Sequence, residues 1–139
     1  MPSVLQEKDA IRELLARYCF HFDAGEFEEW LGLFAPDGVF DLGPQGRIGG
    51  RDALREFLTL VPLTDGLPMT RHGVMNIIIN VDGERATARS YVLVMGGGER
   101  VSIGVAGRYE DQIVKIAGQW RFKERKVYFD LVPQCGDGR

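Results

Sequence analysis

Apolar residues recur at helical spacing in three segments of the first sixty residues. Positions three or four apart are apolar through each segment, which is the spacing of one face of a helix. Gly25 follows the first segment and suits a helix end that needs positive φ, and Pro36 stops the second. The third segment has a buried side made of Ala53, Leu54, Phe57 and Leu58. The pattern predicts helices at 9–22, 27–34 and 51–60, a short strand at 39–42 and a glycine-rich loop at 43–50.

The apolar period changes to that of strands in the second half of the chain. Asp82-Gly83 between two strand-like runs is a strong hairpin signal. The run from 99 to 116 is too long to stay flat, and Gly104 and Gly107 are its expected bend or bulge points. Helices followed by an antiparallel meander indicate the α+β class. The predicted strands are 71–81, 84–95, 99–116 and 119–132.

Three consecutive isoleucines, 77 to 79, place apolar side chains on both faces of one predicted strand. One face can meet the helices, whereas the other needs a different cover. A second copy of the chain is the simplest cover, so we expect a homodimer or a higher homo-oligomer.

Composition narrows the class of protein. The 139 residues, 45% hydrophobic and 27% charged, suit one globular domain, which we place at 1–133 with a loose tail at 134–139. A net charge of -3 argues against nucleic-acid binding. No secretory signal or membrane span is visible, and Cys19 and Cys135 do not suggest a disulfide framework, so we expect a cytoplasmic protein. The chain has only two histidines, and its two cysteines lack the CxxC or Cys/His spacing of a metal site. We therefore expect a site that holds no metal.

Several stretches of the sequence resemble one protein family. "RYCFHFDAGEFEEWLGLFAPDGVF" resembles the N-terminal signature of the SnoaL-like branch of the nuclear-transport-factor-2-like superfamily, and "GGRDALREFL", "RHGVMNIIINVDGERATARSYV" and "GRYEDQIVKIAGQWRFKERKV" follow in the family's order. The resemblance covers about residues 5 to 132. It implies a cone, a cystatin-like α+β barrel in which a curved mixed sheet and three N-terminal helices enclose an apolar pocket. It is weaker for function, because this scaffold serves many reactions.

Within the superfamily, the sequence is most similar to scytalone dehydratase and the bile-acid dehydratases. That resemblance implies a catalytic set of His72, Asp23 and Tyr18. A second histidine of scytalone dehydratase is absent, because the matching strand carries Val94 and Met95. The base of ketosteroid isomerase would fall one position beyond Asp41. Since that offset turns a side chain to the other face of a strand, Asp41 is not expected to be an isomerase base.

The residues themselves allow this assignment without requiring it. His72 shares strand parity with Val74, Asn76 and Ile78, so it can face the interior, although a lone histidine is more often structural. Asp23 lies about 140° around an ideal helix from Tyr18, so we expect it to turn inward only if the helix ends near residue 22. Tyr18 suits either a core aromatic or a hydrogen-bond donor. An Asp–His pair would hold the imidazole in the tautomer that a general base needs.

The resulting hypothesis is a cofactor-free dehydratase acting on a small hydrophobic, cyclic hydroxy-carbonyl compound. His72 would transfer the protons, Asp23 would orient it, and Tyr18 would polarise the carbonyl. An isomerase or polyketide cyclase remains open, as does a non-catalytic ligand carrier or dioxygenase β-subunit-like partner. The candidate substrate-binding residues are Phe22, Trp30, Phe40, Asn76, Tyr91 and Met95.

Overall fold

Three helices occupy the N-terminal half, as predicted. The computed structural model describes residues 1–132; the predicted tail at 134–139, the domain end at 133 and Cys135 lie outside the described residues. The first helix opens on a capping box, in which Ser3 Oγ accepts from the Gln6 backbone N–H and the Gln6 side chain accepts from that of Ser3. The helices are α1 (Val4–Asp23), α2 (Phe27–Leu31) and α3 (Arg51–Leu58).

Six strands form one curved sheet in the order β2-β1-β6-β5-β4-β3. The sheet is mixed because β1 runs parallel to β6, whereas the other neighbouring strands are antiparallel. The predicted α+β class and the four-strand meander are confirmed. The sheet is not closed, since β2 and β3 are its two edges. The strands are β1 (Phe34–Asp41), β2 (Arg47–Gly49), β3 (Thr70–Asp82), β4 (Arg85–Gly97), β5 (Val101–Ile116) and β6 (Gln119–Leu131).

The segment 32–50 differs from its prediction. The second helix ends at Leu31, and Phe34 belongs to β1, where it pairs with Phe122 of β6. The Phe122 backbone N–H also donates to the Leu33 carbonyl, 2.8 Å away. Sheet pairing therefore overrides the helical spacing that Phe34 continues. The predicted loop at 43–50 contains a turn of 3-10 helix, Gly43–Gln45, and the edge strand β2.

Aromatic side chains fill the space between the helices and the inner face of the sheet. Tyr18 of α1 lies at the centre, with its ring centroid 5.4 Å from that of Trp30 and 6.3 Å from that of Phe40. Trp30 and Phe34 are fully buried. The interior of the cone is consequently a packed core.

A buried ion pair lies beneath this aromatic cluster. Arg125 Nε is 3.1 Å from Asp111 Oδ1, and both side chains are 0% exposed. The guanidinium stacks 3.4 Å above the Tyr109 ring centroid and 4.1 Å from that of Tyr18. Burial raises the pKa of Asp111 to about 6, against the opposing effect of Arg125. The pair therefore belongs to the buried core and does not lie on a solvated face.

Both glycines expected to bend the long strand lie at bulges. Between β4 and β5, Val94 pairs with Val105 and Met95 pairs with Ile103, so Gly104 is the extra residue. Between β5 and β6, the register shifts across Gly107. A Cβ at Gly107 would lie 1.9 Å from the Tyr128 carbonyl oxygen, whereas one at Gly104 would meet nothing closer than 3.7 Å. The close approach of β6 therefore requires glycine at 107.

This difference predicts unequal effects of two matched substitutions. Gly107→Ala should lower the free energy of unfolding by about 2 kcal/mol or more, because β6 must move away from the added methyl group. Gly104→Ala should cost less than about 1 kcal/mol, because its methyl group has room. Urea denaturation of the two variants and the parent checks this. Equal losses would contradict the assigned approach of β6 to Gly107.

Candidate active site

The carboxylate of Asp23 accepts three hydrogen bonds from the start of β3. His72 Nδ1 lies 2.7 Å from Oδ1, the His72 backbone N–H donates to Oδ2 over 2.8 Å, and Thr70 Oγ1 donates to Oδ1 over 2.8 Å. The His72 and Asp23 side chains are only 9% and 10% exposed. This arrangement joins the last residue of α1 to the edge strand and fixes the orientation of the imidazole ring.

The position of Asp23 corrects one sequence-based expectation. The helix was expected to end near residue 22 if Asp23 was to turn inward, yet α1 includes Asp23, and Ala24 caps it. Asp23 shares a face of α1 with Cys19 and Ala16, and β3 crosses that face. His72 therefore lies between two faces of one continuous helix, with Asp23 on one side and Tyr18 on the other.

Electrostatics assign the protons in the Asp23–His72 pair. Burial acts to raise the pKa of Asp23, but the His72 ring, the His72 backbone N–H, the charge of His72 and the Thr70 hydroxyl together lower it below its ordinary value. An ionised carboxylate can only accept, so His72 Nδ1 carries a hydrogen. No described residue hydrogen-bonds His72 Nε2, and the side chain lines a cleft. In neutral His72, Nε2 is therefore a free lone pair that can accept a proton.

Two aromatic side chains support the other side of His72. The ring centroid of Phe22 is 5.1 Å from that of His72, and the centroid of Tyr18 is 6.1 Å away, both nearly edge-on. Burial, followed by the neighbouring Tyr109, raises the pKa of Tyr18 well above its ordinary value. The Tyr18 hydroxyl therefore remains protonated and can serve as a donor.

A half-open cleft of about 900 Å³ lies between α1 and the edge formed by β3, the end of β4 and the start of β5. Asp23 and His72 lie in its wall. Most of its other side chains are apolar, as expected for a small-molecule site. Its lining consists of Arg12, Leu15, Ala16, Cys19, Phe20, Asp23, Ala24, Leu67, Met69, Thr70, Arg71, His72, Val74, Ile77, Met95, Gly96, Gly97, Gly98 and Val101.

Among the expected substrate-binding residues, Met95 lines this cleft. Phe22 contacts the His72 ring from the side of the core. Trp30 and Phe40 are buried in the aromatic core and do not line the cleft. An apolar position in a sequence suits a core as well as a pocket wall, and the close packing around Tyr18 places both residues in the core.

Asn76 and Tyr91 lie away from the cleft, contrary to the sequence-based expectation. The register of β3 and β4 shifts between Met75 and Ile78, and Asn76 adopts φ +57° at this bulge. Its side chain is exposed, and the strand parity shared with His72 ends at Val74. Tyr91 is 56% exposed on the outer face of the sheet, because buried Ser90 and Val92 take the inward positions of β4.

Sequence reasoning missed Thr70 and the second face of α1. Thr70 lies two residues before His72, so the same strand parity that brings His72 inward also places Thr70 on that side. Arg12, Ala16 and Cys19 precede Asp23 at helical spacing, which defines the face that the cleft uses. Both signals are present in the sequence, but they become visible only once Asp23 is known to remain helical.

Within residues 1–132, no three His, Cys, Asp or Glu side chains are close enough together to hold a metal ion. None of the helices in this part of the chain is both long and apolar enough to cross a membrane.

The fold and the site define a class. Three N-terminal helices against a curved, open mixed sheet form the cystatin-like fold of nuclear-transport-factor-2-like proteins, and the Asp23–His72 pair lies in the wall of its cleft. A family model for the SnoaL-like domain matches residues 3–126, and the chain belongs to this family. No curated protein matches the sequence significantly.

Solved structures agree with this membership. A protein of unknown function from Mycobacterium tuberculosis is 32% identical, with a TM-score of 0.80 over 94% of this chain and 78% of its own. A candidate scytalone dehydratase from Novosphingobium aromaticivorans is 30% identical, with a TM-score of 0.78 over 91% of this chain and 86% of its own. A Nostoc punctiforme protein of unknown function with a cystatin-like fold is 29% identical, with a TM-score of 0.81 over 95% and 96%.

The protonation of His72 can be measured without a substrate. We expect long-range ¹H–¹⁵N spectra of neutral His72 to show hydrogen on Nδ1 and none on Nε2, because the Asp23 carboxylate requires a donor. Asp23→Ala should shift both His72 nitrogen signals. His21, which pairs instead with Glu26 over 3.1 Å, is the internal control and should not change. Hydrogen on Nε2 of neutral His72 in the parent protein would contradict the assignment.

Proposed function

We propose that the protein is a cofactor-independent lyase, a dehydratase of a small hydrophobic, cyclic hydroxy-carbonyl compound of the polyketide or steroid type. The observation that carries this proposal is the Asp23–His72 pair in the wall of the apolar cleft. A histidine whose Nδ1 is held by a carboxylate has its other nitrogen available as a general base.

The proposed reaction uses His72 twice. Nε2 removes the proton α to the carbonyl, and the electron pair of that C–H bond becomes part of a new C=C bond. The C–O bond to the β-hydroxyl breaks, and the leaving oxygen takes the proton back from His72 as water. Asp23 stabilises the imidazolium between the two transfers. Val94, not a second histidine, lies opposite His72 on β4, so one side chain serves both steps.

Tyr18 is proposed as the donor to the substrate carbonyl, directly or through water. Its raised pKa keeps the hydroxyl protonated, and its ring borders His72. Tyr18 does not line the cleft. For Tyr18 to act as this donor, the substrate carbonyl, or a water bound to it, must extend beyond the His72 ring to the Tyr18 hydroxyl.

Two relatives of this reaction use the same first step. An isomerase returns the proton to a different carbon, and a cyclase forms a carbon–carbon bond from the same enolate. We favour the dehydratase because the candidate scytalone dehydratase is 30% identical over most of both chains. A non-catalytic carrier would also use the cleft, but it would not need Asp23 and Thr70 to orient His72.

Activity measurements separate these functions. A panel of cyclic hydroxy-ketones, screened without added metal for new conjugated absorbance, should reveal a substrate. His72→Ala should then lower kcat about 10²- to 10⁴-fold through loss of the base, and Asp23→Asn by a similar factor. His21→Ala, at a histidine whose side chain is 26% exposed and lies outside the cleft, should keep kcat within about twofold and is the matched control.

Each outcome of that experiment has a meaning. A folded His72→Ala variant with full turnover would remove His72 from the mechanism. Tyr18→Phe should lower kcat if the hydroxyl contacts the carbonyl, whereas unchanged kcat would leave Tyr18 a packing role against His72. Turnover without loss of water would favour the isomerase or cyclase. Binding without turnover across the panel would favour the carrier.

We also propose that a second copy of the chain covers the outer face of the sheet. Ile78 and Tyr91 are 50% and 56% exposed there, next to Met75. A shallow groove beside them is lined by charged residues of both signs, which can pair across a two-fold axis. These charged residues are Arg89, Glu110, Glu124 and Lys126.

A charge introduced at this face tests the proposal. Tyr91→Glu should convert the dimer to a monomer in size-exclusion chromatography with light scattering, because two such carboxylates would be buried near the symmetry axis. Leu60→Glu changes another exposed apolar residue, 77% exposed against 56% for Tyr91, that lies beyond α3, and it should leave the mass unchanged. A monomeric parent protein would overturn the proposed dimer.

A further inference from the structure

The cleft runs lengthwise along α1. Its helical lining begins at Arg12 and reaches Asp23 through Ala16 and Cys19, successive positions on one helix face. Eleven residues at 1.5 Å each separate Arg12 from Asp23, a distance of about 16 Å along the axis. The Asp23–His72 pair therefore occupies one end of an elongated groove, and Arg12 occupies the other.

Positive charge exceeds negative charge in this groove, although the chain as a whole carries -3. The lining includes Arg12 and Arg71 but only one acid, Asp23, whose carboxylate is already satisfied by three donors. Arg12 has no hydrogen bond or ion pair with any described residue. By contrast, Arg17 on the same helix pairs with Glu13 at 3.0 Å. Arg12 is thus an unneutralised cation beside an apolar groove.

Between the two ends the lining is apolar. Leu15, Ala16 and Phe20 of α1 face Val74 and Ile77 of β3 across it. A fully neutral ligand would leave the guanidinium of Arg12 without a counter-charge, and a uniformly polar one would not match the apolar walls. The complementary ligand has an apolar body and one anionic group.

We propose that Arg12 is a specificity-determining residue that binds a carboxylate or similar anion at the far end of the substrate. This inference rests on the proposed function: His72 acts on the hydroxy-carbonyl unit, and the anion lies about 16 Å away at Arg12. The substrate class is accordingly an elongated, amphipathic acid. Because Arg12 is exposed to solvent, its contribution is that of a partly solvated ion pair and is most visible as selectivity for charged over neutral ligands.

A pair of dyes tests the anion site without a known substrate. Anilinonaphthalene sulfonate is anionic, and phenylnaphthylamine is the same ring system without the sulfonate. Arg12→Gln should weaken binding of the anionic dye about five- to tenfold, since it removes one charged hydrogen-bonding partner. Binding of the neutral dye should change less than about twofold. Fluorescence titration at low and high salt measures both affinities, and salt should weaken only the anionic dye.

Matched variants make the result specific. Arg17→Gln removes an arginine from the same helix outside the cleft and should leave both affinities unchanged. Equal losses of both dyes in Arg12→Gln, or equal effects of Arg12→Gln and Arg17→Gln on the anionic dye, would overturn the proposed anion site. So would unchanged affinity of the anionic dye in Arg12→Gln.

The same assay separates this inference from the lyase proposal. Dye binding needs no proton transfer, so the affinities of the parent, Arg12→Gln and Arg17→Gln for the two dyes test the anion site whether or not the protein is a lyase. Selective loss in Arg12→Gln together with full turnover in His72→Ala would retain the anion site and reject the lyase. No selective loss, with turnover abolished in His72→Ala, would do the reverse.

Discussion

The carboxylate of Asp23 connects the two parts of the molecule on which the candidate site depends. It is nine-tenths buried, and a buried charge is costly unless hydrogen bonds replace its water. Here Thr70 and the backbone and ring of His72 supply three such bonds. The bonds hold edge strand β3 against the end of α1 and restrict the imidazole to one orientation. Among the described residues, these are the side-chain hydrogen bonds that connect β3 with α1.

His72 marks the boundary between a packed core and an open cleft. On one side its ring meets Tyr18 and Phe22, which continue into the aromatic cluster. On the other side it borders a cleft of about 900 Å³. The core supplies a rigid, apolar support, and the cleft supplies access for a ligand. This placement suits a proton-transfer group, because the ring is held firmly while one nitrogen has no described hydrogen-bond partner.

Much of this arrangement is readable from local pattern. The period of apolar residues predicts α1, α3 and the four-strand meander, and Gly104 and Gly107 are recognisable as bulge positions because an isolated glycine within a strand pattern often marks a bulge or a bend. The alternation of side chains along β3 also predicts that His72 and Val74 share the inward side of the strand. Parity fails at Asn76, because a bulge inserts a residue and reverses every later side chain.

The sequence by itself determined α1, α3 and the four-strand meander, and it indicated the pairing of Asp23 with His72 through resemblance to a family whose signature both residues match. Only the tertiary structure decided the role of each apolar position. Trp30 and Phe40 pack inside the cone, whereas the less conspicuous Leu15, Ala16 and Cys19 form the cleft wall. The reason is that helical spacing in a sequence shows which residues share a helix face, but not which strand or side chains pack against that face. The pairing of β1 with β6 and the packing of α1 against β3, both between residues distant in the chain, determine that.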